Sequence, residues 1–288
     1  MKRFFFYFGL IAFSMLTACT KEVRDTAVDV LSGEETLISK MKQIEGAQNY
    51  ITLSSDTRGL GHKKKSYQIN ASLSDQASDI CSNITINNDI VMERFVPRQG
   101  LGLSNQFISN RDVPISEYAQ LFGKKVQCNV NAKPNQVLET RGLTGGSITT
   151  PDEIEVTMPS GSPVNGSNAI SVPRNAPLRW NPDPNNRSVY ILVLFDPQSV
   201  VNFRYSNARR KTAFHMVRDN GSFTIPASDF DGIPVGGHIE ILIARGNTAL
   251  LGGTSNGTGS TALTAYSMAT LVATSGGGSC GDCIEVYP

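Results

Sequence analysis

The rhythm of apolar and polar residues changes along this chain, and each change marks an element. Residues 4–16 form a short, nearly unbroken apolar run that opens after Lys2 and Arg3 and closes at Leu16-Thr17-Ala18-Cys19. About thirteen residues fall short of the ~20 that a membrane-spanning helix needs. A basic start, a short apolar run and small residues before a cut describe a secretory signal, here residues 1–18. The chain from Thr20 to Gln48 is polar, except that Leu37, Ile38, Met41 and Ile44 recur so as to share one helical face. Ser32 followed by Glu35 fits a capping box, so residues 19–48 are predicted to form a tether ending in a short helix.

From residue 49 the period falls to two. Tyr67, Ile69, Ala71 and Leu73 share one strand face, and Ile84 and Ile86 are followed, after Asn87-Asn88-Asp89, by Ile90 and Met92. That arrangement predicts a hairpin whose turn uses Asn and Asp. One short helix is expected over residues 116–122, stopped by Gly123. Residues 49–141 therefore read as a mainly β unit. The Gly, Ser and Thr of residues 140–151 read as a boundary. Over residues 150–275 strands recur at short intervals between turn residues, as in an all-β sandwich. Residues 276–288 are a Gly-rich tail with Cys280 and Cys283. The expected fold class is mainly β, with two β-sandwich-like domains preceded by a short helical stalk.

Charge changes this picture little. The 288 residues carry 26 basic and 25 acidic side chains; without Lys2 and Arg3 the balance is 24 to 25, a formal charge of −1. Such a chain has no global nucleic-acid footprint, and its basic run His62-Lys63-Lys64-Lys65 sits beside Gly59 and Gly61 as a solvated turn. Export would place the thiols in an oxidising compartment. Besides Cys19 there are Cys81, Cys128, Cys280 and Cys283, and four thiols allow three pairings. The economical pairing is Cys81 with Cys128 and Cys280 with Cys283, the first closing a loop for about 4 kcal/mol on a chain-entropy estimate.

Leu16-Thr17-Ala18-Cys19 resembles the lipobox of bacterial lipoproteins. The resemblance implies cleavage before Cys19 and acylation of that residue, and more than one chain gives a stable anchor. Asp25-Thr26-Ala27 resembles the O-glycosylation site of exported Bacteroidota proteins, and Lys21-Glu22 is similar to the charged signal that sends some lipoproteins of that phylum to the cell surface. Together these resemble a Bacteroidota-like outer-membrane lipoprotein, with the periplasmic or surface face undetermined. Leu178-Arg179-Trp180-Asn181-Pro182, followed by Tyr190 to Leu194, resembles the second and third strands of fibronectin type III and related immunoglobulin-like domains. That resemblance implies that Leu178, Trp180 and Tyr190 pack between two sheets. Gly237 to Ala244 looks like the sixth strand, with Ile239, Ile241 and Ile243 facing in, and Gly221 to Pro226 reads as an edge strand.

Candidate chemistry is sparse. His62, His215 and His238 have no metal-ligand spacing with one another or with a cysteine, and no Gly-x-Ser-x-Gly elbow sits between a strand and a helix. Cys280-Gly281-Asp282-Cys283 lacks the following helix that would activate a redox thiol, so it reads as a small disulfide. Asp183, Asn185 and Asn186, and separately Asp229 and Asp231, form oxygen-rich loops. Calcium takes six to eight oxygens and each loop offers two or three, so no cofactor is assigned and calcium is the one cation they invite. Tyr190, Tyr205 and Tyr266 are too scattered in sequence for a sugar platform, while Phe195 and Phe203 flank Asp196-Pro197 as a small contact patch.

The sequence thus leads to a membrane-anchored lipoprotein, held through acylated Cys19, acting as a non-enzymatic binding or envelope-assembly component. Its unknown protein or glycan partner would meet loops 181–187 and 228–237 at one end of the second sandwich. Cell-surface carbohydrate binding is the alternative, and a secreted hydrolase is third.

Overall fold

A computed structural model describes residues 47–58, 64–95, 105–109, 113–137, 143, 145–157, 162–163, 169–251, 260–276 and 283–287. The signal, Cys19, nearly all of the tether, His62 and Cys280 lie outside them. In the first half the strands are β1 (Asn49–Arg58), β2 (Lys64–Ser72), β3 (Cys81–Ile86), β4 (Ile90–Arg94), β5 (Gln106–Ser109), β6 (Lys125–Ala132) and β7 (Gly146–Thr149), with short helices α1 (Asp75–Ile80) and α2 (Ile115–Ala119). The second half has β8 (Val156–Thr157), β9 (Ser162–Pro163), β10 (Ile170–Pro173), β11 (Pro177–Trp180), β12 (Ser188–Phe195), β13 (Lys211–Arg218), β14 (Ser222–Thr224), β15 (His238–Leu251), β16 (Thr261–Ser275) and β17 (Cys283–Tyr287), plus 3-10 turns Val200–Tyr205 and Ala227–Phe230. The protein is mainly β, as the period of two predicts.

One large sheet runs through both halves in the order β13-β12-β15-β16-β1-β2-β5-β4-β3-β6-β7. Its pivot is β16: residues 261–270 pair in parallel with β1, while residues 272–275 pair antiparallel with β17 on the same side. The sheet rolls until β7 returns to the long β15–β16 hairpin. There Asn247 Nδ2 donates to the Thr149 carbonyl at 2.7 Å. Gly146 lies against the Leu251 side chain at that closure, where a Cβ would stand 2.6 Å from Leu251 Cδ2 unless that side chain shifted.

Two large cores lie on one face of the sheet, and a smaller cluster of Leu192, Leu242, Ala244, Tyr266 and Met268 is buried on the other. The first gathers Ile51, Leu53, Ile69, Ala71, Ile84, Ile86, Met92, Phe107 and Ile148 with Leu263 and Ala265. The second gathers Leu178, Trp180, Val189, Ile191, Val193, Ile239, Ile241 and Ile243 with Ala269, Leu271 and Ala273. Alternate residues of a strand share a face, so one face of β16 feeds both. Across the second core lies a separate sheet, β14-β11-β8, in which β14 holds the edge that Pro226 predicts.

Local expectations hold where a turn or a burial pattern fixed them. Asn87 and Asn88 take φ of 52° and 67°, and Asp89 N donates to the Ile86 carbonyl at 3.1 Å, closing the β3–β4 hairpin in the left-handed region that Asn tolerates. Two readings need correction, the Cys81–Cys128 pairing and the inward face of Tyr190. Cys81 and Cys128 are free, buried thiols and not a disulfide. Cys81 pairs with Ala132 and Cys128 with Ile86 in the β3–β6 ladder, a separation of about 13 Å along the strand against the ~7 Å limit for bridged Cα atoms. Within the stretch 140–151 read as a boundary, residues 146–149 form β7, with Ile148 buried in the first core. Tyr190 lies on the opposite sheet face, stacked on Phe214 at 5.9 Å, while Val189 and Ile191 fill the core.

Candidate functional site

The densest polar cluster sits where the two cores meet. Arg245 stands on β15 between Ile239, Ile241 and Ile243 of the second core and Ala249 and Leu251, which pack on the first, and is fully buried. Its Nη1 donates to the Asn181 carbonyl at 2.7 Å and pairs with Asp219 Oδ2 at 3.0 Å, Nε donates to the Asp152 carbonyl at 3.0 Å, and Nη2 to the Glu153 carbonyl at 3.1 Å. Asp219 Oδ1 accepts from Trp180 Nε1 at 2.8 Å. A buried charge is tolerated only when paired and hydrogen-bonded throughout, and this one is. The strap 150–155 is sewn down further by Ser267, whose Oγ accepts from Ile154 N at 2.8 Å and from Ser55 Oγ at 2.8 Å. Lys65 pairs with Glu153 at 2.6 Å, and Tyr67 donates to the same carboxylate. Burial, then that carboxylate, push the Tyr67 hydroxyl pKa up. The cluster is a joint between the cores.

Asp183 belongs to this joint. Its carboxylate accepts from Asp152 N at 2.9 Å, Asn185 N at 2.8 Å and Asn186 Nδ2 at 3.0 Å. Burial alone would raise its pKa, but these donors and the Arg245 charge outweigh it and hold the group below the ordinary carboxylate range. Asp229 meets His215 Nε2 at 2.6 Å, and Asp231 lies 3.9 Å from Arg174 Nη1. The structure therefore does not gather these residues into one surface. Loop 181–187 enters β12 at Ser188, whereas residues 233–237 lie by Phe195, which Gly237 touches too closely to admit a Cβ. The two ends are roughly 23 Å apart. Among the described residues, no cluster of three or more His, Cys, Asp or Glu is placed to hold a metal ion.

At the Phe195 end a different surface stands out. Val200 is 94 % exposed, Val201 60 %, Phe203 77 % and Val235 63 %. Between them Asn202 is buried. Its Nδ2 donates to the carbonyls of Asp196 and His238 at 2.9 Å each, and its Oδ1 accepts from His238 N at 2.8 Å. Tyr205 donates to the Val235 carbonyl at 2.6 Å and Arg204 Nη2 to the Gly236 carbonyl at 3.2 Å. Gly236 has φ of 76°, and a Cβ there would meet Tyr205 Oη at 2.8 Å. The 3-10 turn and the loop before β15 are thus clamped together with their apolar side chains outward. Of the two phenylalanines read as a patch, Phe203 is in it and Phe195 is core. Val235 falls within loop 228–237, which the sequence marked as a contact loop, whereas Val200 and Val201 were missed because two adjacent valines in a loop carry no period.

On the sheet face opposite the two large cores, Ser54, Asp56, Arg58, Ser66, Gln68, Tyr266 and Met268 line a cleft of about 80 Å³. Arg58 Nε donates to Asp56 Oδ2 at 3.0 Å, while Asp56 Oδ1 is buried without a hydrogen-bond partner. Tyr190 shares this face with Tyr266, whereas Tyr205 lies at the clamped tip.

Comparison with models of known protein families gave no match. A search of curated proteins likewise found no significant relative.

Proposed function

We propose that this chain is a membrane-anchored lipoprotein, held through acylated Cys19 on an outer membrane, that acts as a non-enzymatic binding or envelope-assembly component. In this reading the two cores are two β-sandwich-like units and the contact surface is the tip formed by Val200, Val201, Phe203 and Val235. The observation that carries it is the clamp: a buried asparagine and two side chain to carbonyl bonds keep four large apolar groups in water. Burying such a side chain contributes about 1.5–3 kcal/mol, so a fold with ~5–15 kcal/mol of net stability forgoes a substantial term by displaying them. Contiguous exposed apolar patches of this kind mark interaction sites.

Two experiments test the reading. Cys19→Ser should move the protein out of the detergent-extracted envelope fraction, and unchanged fractionation would remove the anchor. Val201→Asp with Phe203→Asp should leave folding intact while abolishing co-purification with envelope components; retention of every wild-type associate would remove the tip as contact surface.

The cleft lined by Asp56, Arg58 and Tyr266 favours a second reading, carbohydrate capture. A carboxylate, a guanidinium, an amide and three hydroxyls on one small surface match the mixed donor and acceptor demand of a polyol. Glycan-array binding lost in Asp56→Asn would support it, and an array without hits would end it.

A further inference from the structure

We infer that the clamped tip inserts into an anionic lipid surface, an inference that rests on the tip being the contact surface proposed above. Charge is the first ground. The segment 196–211 carries Arg204, Arg209, Arg210 and Lys211 against the single carboxylate Asp196. That carboxylate already accepts from Gln198 N at 3.0 Å. Residues 227–238 add Val235 and two carboxylates, Asp229, which meets His215 Nε2 at 2.6 Å, and Asp231, 3.9 Å from Arg174 Nη1, so the basic excess lies on the 196–211 side of the tip. Apolar side chains set among arginines and lysine are the composition that binds lipid headgroups and enters the acyl boundary together.

Shape and area are the second ground. Four side chains present a few hundred Å², well short of the ~800 Å² that each side of a standard protein interface buries. Val200, at 94 % exposure, is a protrusion and not the wall of a groove. A protein partner would need a matching cavity for it, whereas a lipid surface deforms around it. The clamp supplies preorganisation, since the backbone of the turn is already ordered and little is lost on insertion. The tether does not oppose this. Residues 20–46 reach up to about 90 Å when extended, against roughly 46 Å for the length of β16, so anchor and tip can meet the same membrane.

The test places a reporter at the tip of the full chain. Trp180 is the single tryptophan of the chain and is buried at 4 % exposure, so Phe203→Trp adds one indole whose emission is separable by difference. With vesicles rich in phosphatidylglycerol, the added emission should shift to the blue and lose most of its intensity when the acyl chains are brominated. Both effects should weaken at ~1 M salt, where screening acts within ~3 Å, and disappear with Val200→Asp and Val201→Asp, while Trp180 emission reports an intact fold. Because the readout is local to position 203, attachment through the N-terminal segment does not imitate it. Water-like, unquenched emission on those vesicles overturns the inference. If the tip substitutions nevertheless strip envelope components from the protein, the tip is a protein contact and only the lipid assignment fails; if they change neither, both fail. A blue shift that grows with protein concentration without vesicles assigns the tip to a second copy, and that also overturns it.

Discussion

Single residues at the joint hold the molecule to its architecture. Arg245 is buried with four bonded partners, and its carboxylate partner Asp219 is equally buried. Removing one member leaves an unpaired charge, so Arg245→Met should cost about 3–5 kcal/mol, read from the urea midpoint. A change below ~1 kcal/mol would mean the charge is solvated. Asp183 gives a pH signature. Its folded pKa is depressed, so its contribution is complete above the unfolded value near ~4 and fades as pH falls through the lower folded value. Wild type should therefore lose stability on acidification below about pH 4 more steeply than Asp183→Asn. The thiols give a third check. Burial pushes Cys81 and Cys128 up to about 12, so neither should react with a thiol reagent in the native state, and both should react after unfolding without reductant.

At the scale of elements, the sequence was readable wherever a period of two met a turn residue. Ile239, Ile241 and Ile243 face inward as alternation requires, and Asn87-Asn88 turns the β3–β4 hairpin. Periodicity gives the face of a strand but not its neighbour. The parallel pairing of β1 with β16, between residues some two hundred positions apart, leaves no local trace. The same limit misplaced Tyr190, since either parity of an apolar strand can face the core. It also paired Cys81 with Cys128, which belong to adjacent strands at different registers. Arg245 did carry a signal, an arginine directly after Ile241-Leu242-Ile243-Ala244, although its partners Asp219 and Asn181 come from other turns. Because β16 closes the first core, Leu263→Ala should cost about 2–5 kcal/mol, as measured by urea unfolding; near-neutral behaviour would indicate that Leu263 is not packed there.

For the whole molecule, the shared strand makes a cooperative claim. Leu263 sits in the first core and Trp180 in the second, yet Leu263→Ala should shift the Trp180 fluorescence transition in urea as well as the far-ultraviolet signal. Separate transitions would mean that the cores unfold independently. Residues 47–48 lead into β1 at one end of the sheet and the clamped apolar tip stands at the other, and the central claim of the proposed reading is that this tip is the contact surface. The most direct measurement of that claim is photo-crosslinking in cells with benzoylphenylalanine at position 203, with exposed Thr224 on the edge strand β14 as the control position. The account predicts strong adducts to membrane lipid or an envelope component at 203 and background at 224; equal, background-level labelling at both positions would contradict it.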